Sequence, residues 1–379
     1  MHAADLPQFR SSLLAWFRDY RRTLPWRATR DPYRIWISEV MLQQTRVAAV
    51  IPYYERFLAR FPDVRALAEA PEEEVLRLWS GLGYYSRARN LQKAAQRIVG
   101  QHAGQFPRKA EDVLALPGIG AYTAAAVLSI AFDEPLAVLD GNVARVIARL
   151  DALHGDLREP QRWRVLQARA SALLASDEAG DWNQAMMELG ATVCTPQNPQ
   201  CLLCPASNFC EARKRGIADV IPEKRKKRAP VAVQLVTAVL LDPAGRCLLL
   251  PPPKVNRNAP SDDHVPSLVA GLWHFPTAPS PDGTGAALGN LLRRELKGKG
   301  AAKAEPIGRA RHTVTYRTLH VAMFLVRMKS LPKIAGARYV ALTKVTAQPI
   351  SNLTRKIARN ALRHLESTGK WRKNAKPHT

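Results

Sequence analysis

Cysteine is scarce in this chain of 379 residues: there are five, and four of them crowd between Cys194 and Cys210. A disulfide framework would spread its cysteines more widely, so this usage suits a reducing compartment and a metal site. No segment approaches the ~20 apolar residues that span a bilayer. The opening Met1-His2-Ala3-Ala4-Asp5-Leu6 also lacks the basic stretch and apolar run of a secretory signal. A soluble intracellular protein without a membrane partner is expected. Acidic side chains are few as well: 32 Asp and Glu stand against 56 Lys and Arg, a formal net charge of +24. Such an excess belongs to a protein that neutralises a polyanion and releases counterions from its phosphates. Nucleic acid is the leading partner, although a ribosome-associated or anionic-membrane protein would show a similar total.

The length calls for two domains. From Leu6 to about Arg215 apolar residues recur at spacings of three and four, as in Phe9 to Tyr20, Ile35 to Leu42, Val47 to Leu58, Glu72 to Leu78 and Leu91 to Val99. Short Gly and Pro punctuation separates the runs, at Phe61-Pro62-Asp63, Ala70-Pro71, Gly81-Leu82-Gly83 and Leu116-Pro117-Gly118-Ile119-Gly120. The pattern predicts an all-α domain over 1–220. The charged, proline-bounded segment from Ile221 to Pro230 reads as an exposed basic linker. Beyond it Val231 to Leu241, Cys247 to Leu250 and Leu319 to Val326 read as strands, and Ala287 to Leu296 and Ser351 to Leu365 as helices. An α+β domain over 231–370 is predicted, with a long loop from Pro251 to Val265, an inert half-buried Cys247 and a disordered basic tail over 371–379.

Three constellations carry chemistry. Cys194, Cys201, Cys204 and Cys210 form a C-x6-C-x2-C-x5-C pattern able to close four thiolates around one metal centre. Zinc and unconnected thiols are the alternatives, but zinc sites more often show two C-x2-C pairs. Leu116-Pro117-Gly118-Ile119-Gly120-Ala121-Tyr122-Thr123 is a glycine-rich turn between helical patterns, whose exposed N–H groups could hold a phosphate. Glu39 lies among Ile35, Trp36, Val40 and Leu42, where an apolar setting would raise its pKa and let it deliver a proton near neutral pH. A solvated helix-face glutamate is the plainer reading. Asp140, in Val138-Leu139-Asp140-Gly141-Asn142-Val143, is an acid in apolar company or simply a helix N-cap.

The cysteine spacing resembles the [4Fe–4S] loop shared by endonuclease III and the adenine DNA glycosylases (the MutY family). The stretch from Asp31 to Thr45 and Gly81-Leu82-Gly83-Tyr84-Tyr85-Ser86-Arg87 resemble the latter group closely. The likeness runs nearly continuously through the whole N-terminal domain, with the motifs in the family's order. It implies a helix-hairpin-helix glycosylase fold, one [4Fe–4S] cluster, and excision of adenine opposite 8-oxoguanine or guanine in double-stranded DNA by a monomeric, cytoplasmic, nucleoid-associated enzyme. In the residues matching the family's motifs, Glu39 protonates the base and Asp140 opposes the charge developing on the sugar, with a transient Asp140-linked sugar before water completes hydrolysis. The adenine pocket maps onto Trp26, Arg27, Leu42, Gln184 and Met187, with Tyr122 and Asn142 beside the sugar. Because the base must leave the stack, the likeness gives Gln44, Leu82 and Tyr84 the intercalating and wedge positions. Leu82, Trp26 and Met187 could equally be core. Endonuclease III-like enzymes carry a lysine where this chain has Tyr122, and tyrosine cannot form the imine that leads to strand cleavage.

Gly271-Leu272-Trp273-His274-Phe275-Pro276 resembles the start of the family's Nudix-like C-terminal domain, which reads the oxidised guanine. A working Nudix hydrolase needs a cluster of glutamates for magnesium, and Arg293-Arg294-Glu295, Gly298 and Lys299 do not supply it. Arg311-His312-Thr313-Val314-Thr315-Tyr316 is similar to the lesion-reading loop, with Val314-Thr315-Tyr316 where Phe-Ser-His is usual; Thr315 and Tyr316 keep hydrogen-bonding groups. A plain strand is the alternative there. Two rival functions are an endonuclease III-like lyase, against which Tyr122 argues, and a non-catalytic lesion-binding protein, against which the pairing of Glu39 with Asp140 argues.

Overall fold

A computed structural model of the chain describes residues 3–223, 229–252, 272–280, 285–296, 304–314 and 316–369. The chain divides into two compact units, Met1–Glu72 with Ser86–Lys226, and Glu73–Tyr85 with Lys227–Thr379.

The first unit is helical throughout its described residues. Its elements are α1 (Leu6–Tyr20), α2 (Pro32–Leu42), α3 (Val47–Arg60), α4 (Val64–Glu69), α6 (Ser86–Gln101), α7 (Ala110–Leu114), α8 (Ala121–Phe132), α9 (Gly141–Leu150), α10 (Pro160–Leu173), α11 (Ala179–Thr192) and α12 (Glu211–Lys214), while α5 (Glu72–Trp79) leads into the second unit. Three of these decide where the site lies. In α2, Asp31 caps the first turn by accepting from the Tyr33 N–H and Pro32 takes the first helical position, as helix starts favour. Eight residues of α2, Tyr33 and the unbroken run Ile35 to Met41, are buried, so a carboxylate placed near its end must be buried too. The next, α8, is apolar around its whole circumference and runs through the interior. Finally, α9 sets Val143, Val146, Ile147 and Leu150 against Phe9, Leu13 and Phe17 of α1 and Trp182 and Met186 of α11. Burying each such side chain is worth roughly 1.5–3 kcal/mol.

The second unit holds a six-stranded sheet in the order β4-β5-β1-β2-β6, with β3 also pairing β1; its strands are β1 (Val231–Leu241), β2 (Arg246–Leu249), β3 (Thr277–Pro279), β4 (Ala304–Val314), β5 (Arg317–Arg327) and β6 (Arg338–Ala341). The central β1 runs parallel to β5 and antiparallel to β2 and β3. One face of β1 (Val233, Leu235, Val239, Leu241) packs with Leu353, Ile357 and Ala361 of helix α14 (Asn352–Ser367). The other (Val236, Ala238, Leu240) packs with Leu288 and Leu291 of helix α13 (Gly285–Leu296). A strand covered on both faces reads as an unbroken apolar run, as Val231–Leu241 does.

Several expectations need adjusting. Ile221, assigned to an exposed linker, is buried: it packs with Ala148 and Ala212, and its carbonyl accepts from Arg149 Nε at 2.7 Å. Isoleucine is too apolar to leave in water where a pocket is at hand, and residues 224–228 of the linker lie outside the described residues. Cys247 is fully rather than half buried, because β2 sits between β1 and β6. Residues Arg311–Val314 form the end of β4 paired to β5, and Tyr316 lies in a turn just before β5. Gly271, Thr315, residues 253–265, Gly298, Lys299 and the tail 371–379 lie outside the described residues. No described helix is long and apolar enough to cross a membrane.

Candidate active site

Glu39 and Asp140 come to one cavity of about 480 Å³, within the size range of small-molecule sites. Trp26, Arg27, Leu42, Gln44, Tyr122, Asn142, Gln184 and Met187 line it as well. Every residue expected around the adenine and its sugar is therefore on the same wall, together with Gln44.

Glu39 is 6% exposed and stands near the C-terminal end of α2. Burial, the largest influence, raises its pKa to about 7; the nearby charge of Asp140 adds to this, while a hydrogen bond from Tyr122 and the charge of Arg27 pull it down. The Tyr122 hydroxyl donates to Glu39 Oε2 at 2.6 Å and lies 3.5 Å from Met187 Sδ. Burial beside the two carboxyls holds the Tyr122 hydroxyl well above its ordinary value, so it remains a donor.

Asp140 is both the N-cap of α9 and a member of the cavity wall. Its Oδ1 accepts from the backbone N–H groups of Asn142 at 2.9 Å and Val143 at 2.7 Å, and its Oδ2 from Asn142 Nδ2 at 3.1 Å. Burial pushes its carboxyl up from the ordinary range, and these three bonds with the charge of Arg145 act against that. The positive end of α9 faces the same carboxylate. Asn142 is pinned in turn by Arg145, whose Nη2 donates to Asn142 Oδ1 at 2.9 Å and to the Gly190 carbonyl at 2.7 Å. Gly190 is required here, because a Cβ would stand 2.7 Å from the Cβ of Asn142.

Four positioning residues escaped the sequence reading. Glu188, 1% exposed, accepts from Arg22 Nε and Nη2, both at 2.7 Å, and from Arg27 Nη2 at 2.8 Å. Burial works against the charged form of Glu188, yet the two arginines hold its carboxyl down to about 2. Arg27 is thus fixed at the cavity with its charge compensated. Arg145 holds Asn142 as described. Arg87 Nη1 donates to the carbonyls of Val40, Met41 and Gln43, closing the end of α2. Just past that end Gln44 adopts φ 56°, a left-handed backbone uncommon for a non-glycine residue. An acidic residue between methionine and leucine on a helix gives no sequence signal that two arginines more than 160 positions away will meet it.

Gly118, at φ +79°, lies in the turn between α7 and α8, and a Cβ there would meet the Asn90 side chain at 2.6 Å. Gly120 caps α8 without a side-chain bond and has open space where its Cβ would be, leaving the first N–H groups of α8 to other acceptors. Of the wedge candidates, Leu82 is 8% exposed and Tyr84 45%. Tyr84 has φ 48°, and Gly81 and Gly83 flank Leu82 with φ 118° and 76°. Both belong to the second unit, as does Tyr316.

Cys194, Cys201, Cys204 and Cys210 line one small cavity with Arg149 and Arg213, and are not bonded to each other. Arg149 Nη1 donates to Cys194 Sγ at 3.2 Å. Burial, with repulsion between the sulfurs, raises the thiols of Cys201, Cys204 (to about 12) and Cys210. Four thiolates in that space need a strongly cationic centre. Among the described residues, no three such ligands converge closely enough for a single ion. Four soft thiolate donors on one cavity are a set that an iron–sulfur cluster or zinc would take.

Residues 37–168 match the profile of the HhH-GPD superfamily base excision DNA repair proteins. The chain is 35% identical to an adenine DNA glycosylase of Mus musculus over 98% of its own length and 81% of that protein's. It is 34% identical to an adenine DNA glycosylase of Homo sapiens, over 94% and 74% of the two chains. Among solved structures, a thermostable thymine-DNA glycosylase aligns with a TM-score of 0.52 at 30% identity, covering 56% of this chain and 98% of that one. With the helix-hairpin-helix turn and the carboxylate pair in place, similarity across nearly the whole chain leaves one assignment: the chain belongs to the adenine DNA glycosylases, within the endonuclease III-like superfamily of base excision repair enzymes.

Proposed function

We propose that this enzyme hydrolyses the N-glycosidic bond of adenine opposite 8-oxoguanine or guanine in duplex DNA and leaves an abasic site, acting as a monomer. The observation that carries the reading is the single cavity on which a buried Glu39, with a pKa near 7, meets an Asp140 held by three hydrogen bonds. Adenine leaves poorly as an anion. Glu39 in its acid form gives a proton to a ring nitrogen, so that the electron pair of the breaking C1′–N9 bond goes onto a neutral base. The sugar is left with oxocarbenium character, which the Asp140 carboxylate opposes and then captures as a transient ester. Water then attacks C1′, its oxygen displacing the Asp140 carboxylate and its proton passing to Glu39, which returns to the acid form. Trp26, Arg27, Leu42, Gln184 and Met187 form the walls that hold the flipped base, and Asn142 keeps Asp140 aimed at the sugar. Among the described residues no lysine lines this cavity, so an imine with the sugar is not available.

Other residues serve the DNA. Gln44, Leu82 and Tyr84 fill or wedge the stack, and the turn at Gly118 and Gly120 holds a backbone phosphate. Thr315 and Tyr316, on a Nudix-like domain over 231–370, read the oxidised guanine. Cys194, Cys201, Cys204 and Cys210 would hold one [4Fe–4S] cluster, and Arg149 of α9 donates to the Cys194 sulfur of that set. The glycosylase domain spans 1–220, joined by a linker over 221–230, and the enzyme works on the nucleoid in the cytoplasm. A panel of duplexes with adenine opposite 8-oxoguanine, guanine, cytosine and thymine tests the pairing. Release confined to the first two supports it, and equal release opposite all four refutes it.

A further inference from the structure

The start of α14 reaches a turn and a strand at once. Asn352 Nδ2 donates to the Gly81 carbonyl at 3.1 Å, and Arg355 Nη2 donates to Ser80 Oγ at 2.8 Å. On the next position Lys356 Nζ donates to the Arg311 carbonyl at 3.0 Å. The first two contacts hold the turn that carries Leu82 and Tyr84. The third holds β4, which with β5 flanks Tyr316. All lie within the second compact unit.

The turn is held at further points. Ser80 Oγ donates to the Ile350 carbonyl at 2.8 Å, the Tyr85 hydroxyl donates to the same carbonyl at 3.0 Å, and the Gly81 N–H donates to the Tyr85 hydroxyl at 3.3 Å. Glu73, at the start of this segment, forms an ion pair with Arg338, whose guanidinium sits 4.2 Å from the Trp273 ring centroid. The helix itself needs none of these bonds, since Ser351 caps it by accepting from the Thr354 N–H at 3.0 Å, and Leu353, Ile357 and Ala361 seat it on the sheet. Asn352, Arg355 and Lys356 are therefore spent on contacts outside the helix. Meanwhile Tyr84 has a left-handed backbone, which in a non-glycine residue persists only where surroundings impose it, whereas Gly81 and Gly83 adopt their positive φ freely.

We infer that α14 is a strut that fixes the wedge turn to the lesion-reading hairpin, so that engagement of the oxidised guanine at the hairpin favours the inserted state of the Tyr84 turn. Asn352 and Arg355 are positioning residues in this arrangement. The inference rests on reading Tyr84 as a wedge and Tyr316 as a lesion reader. A strut joining two elements that touch the same DNA transmits a preference at one into a population at the other, and such coupling amounts to about 5- to 150-fold.

The test compares single-turnover adenine release opposite 8-oxoguanine and opposite guanine in the full chain. In Asn352→Ala/Arg355→Ala the ratio of the two rates is expected to fall about tenfold, with release opposite guanine unchanged. A role in stability alone would lower both rates together and leave the ratio as it was, and that result would overturn the strut. Asn352 is exposed, so Asn352→Ala alone keeps the fold and is expected to shift the ratio in the same direction by about threefold. Tyr84→Ala and Tyr316→Ala separate the strut from its premises. If each lowers the ratio but the double variant does not, the strut fails and the readings of the two loops stand. If neither lowers it, both the loop readings and the strut fail.

Discussion

Replacing Tyr122 with phenylalanine removes the hydroxyl that donates to Glu39 at 2.6 Å and leaves the ring on the cavity wall. That bond stabilises the Glu39 carboxylate against its protonated form, so it lowers a pKa that burial has raised to about 7. A hydrogen bond to a charged group contributes roughly 1.5–3 kcal/mol, and a change of one pKa unit corresponds to about 1.36 kcal/mol. Loss of the bond should therefore raise the Glu39 pKa by about 1–2 units. The lower figure is the better expectation, since the protonated carboxyl also bonds the tyrosine in part. Because Glu39 acts as its acid form, the rate of base release falls as pH rises through its pKa. The alkaline limb of the profile should thus move upward in Tyr122→Phe. Single-turnover adenine release measured across pH, for both proteins on one duplex, reads the shift directly. A limb that stays in place or moves downward would refute the assignment of Glu39 as the acid under Tyr122's control.

Asp140→Asn is expected to slow base release by about 10²–10⁴-fold while costing little stability, because asparagine caps a helix as well as aspartate; Asp140→Ala should lose about 1 kcal/mol in addition, which thermal melts distinguish. Glu188→Ala leaves Arg22 and Arg27 without their shared carboxylate and should cost roughly 3–5 kcal/mol by denaturant titration. Since Glu188 is held at about 2 against an ordinary 4.5, its contribution is present above the upper value and fades as pH falls toward the lower. Glu188→Gln should accordingly lose less stability on acidification than the parent. Chelation of iron, or Cys204→Ser, should abolish visible absorbance and lower the melting temperature; a colourless parent holding zinc would remove the cluster assignment. Duplex affinity should fall steeply with salt given the net charge of +24, and a flat dependence would exclude phosphate tracking.

What could be read from residues alone follows from how local each signal is. The helix carrying Glu39 announces itself through Asp31-Pro32 at its start and an apolar run from Ile35 onward that buries nearly all of its circumference. Asp140 shows the other side of the same rule: the cap and the counter-charge are one carboxylate, so the plain reading and the chemical one were never alternatives. The sheet was harder to see. Pro306 and a register shift between Pro306 and Gly308 interrupt the alternation of β4, and its middle is polar on the exposed face, so the strand has no clean period of two. β6 has four residues, too few to establish a pattern. Glu188 with Arg22 and Arg27, Arg87 on the end of α2, and the α14 contacts are pairings between distant segments, and neither composition nor spacing encodes them.

The central claim is that Glu39 delivers the proton that releases adenine. The measurement that tests it most directly is free adenine released from a duplex with adenine opposite 8-oxoguanine, by the parent and by Glu39→Gln, with strand breaks scored before and after alkali. Adenine from the parent alone, with breaks only after alkali, is the expected result. Adenine released at the parent's rate by Glu39→Gln would contradict the account.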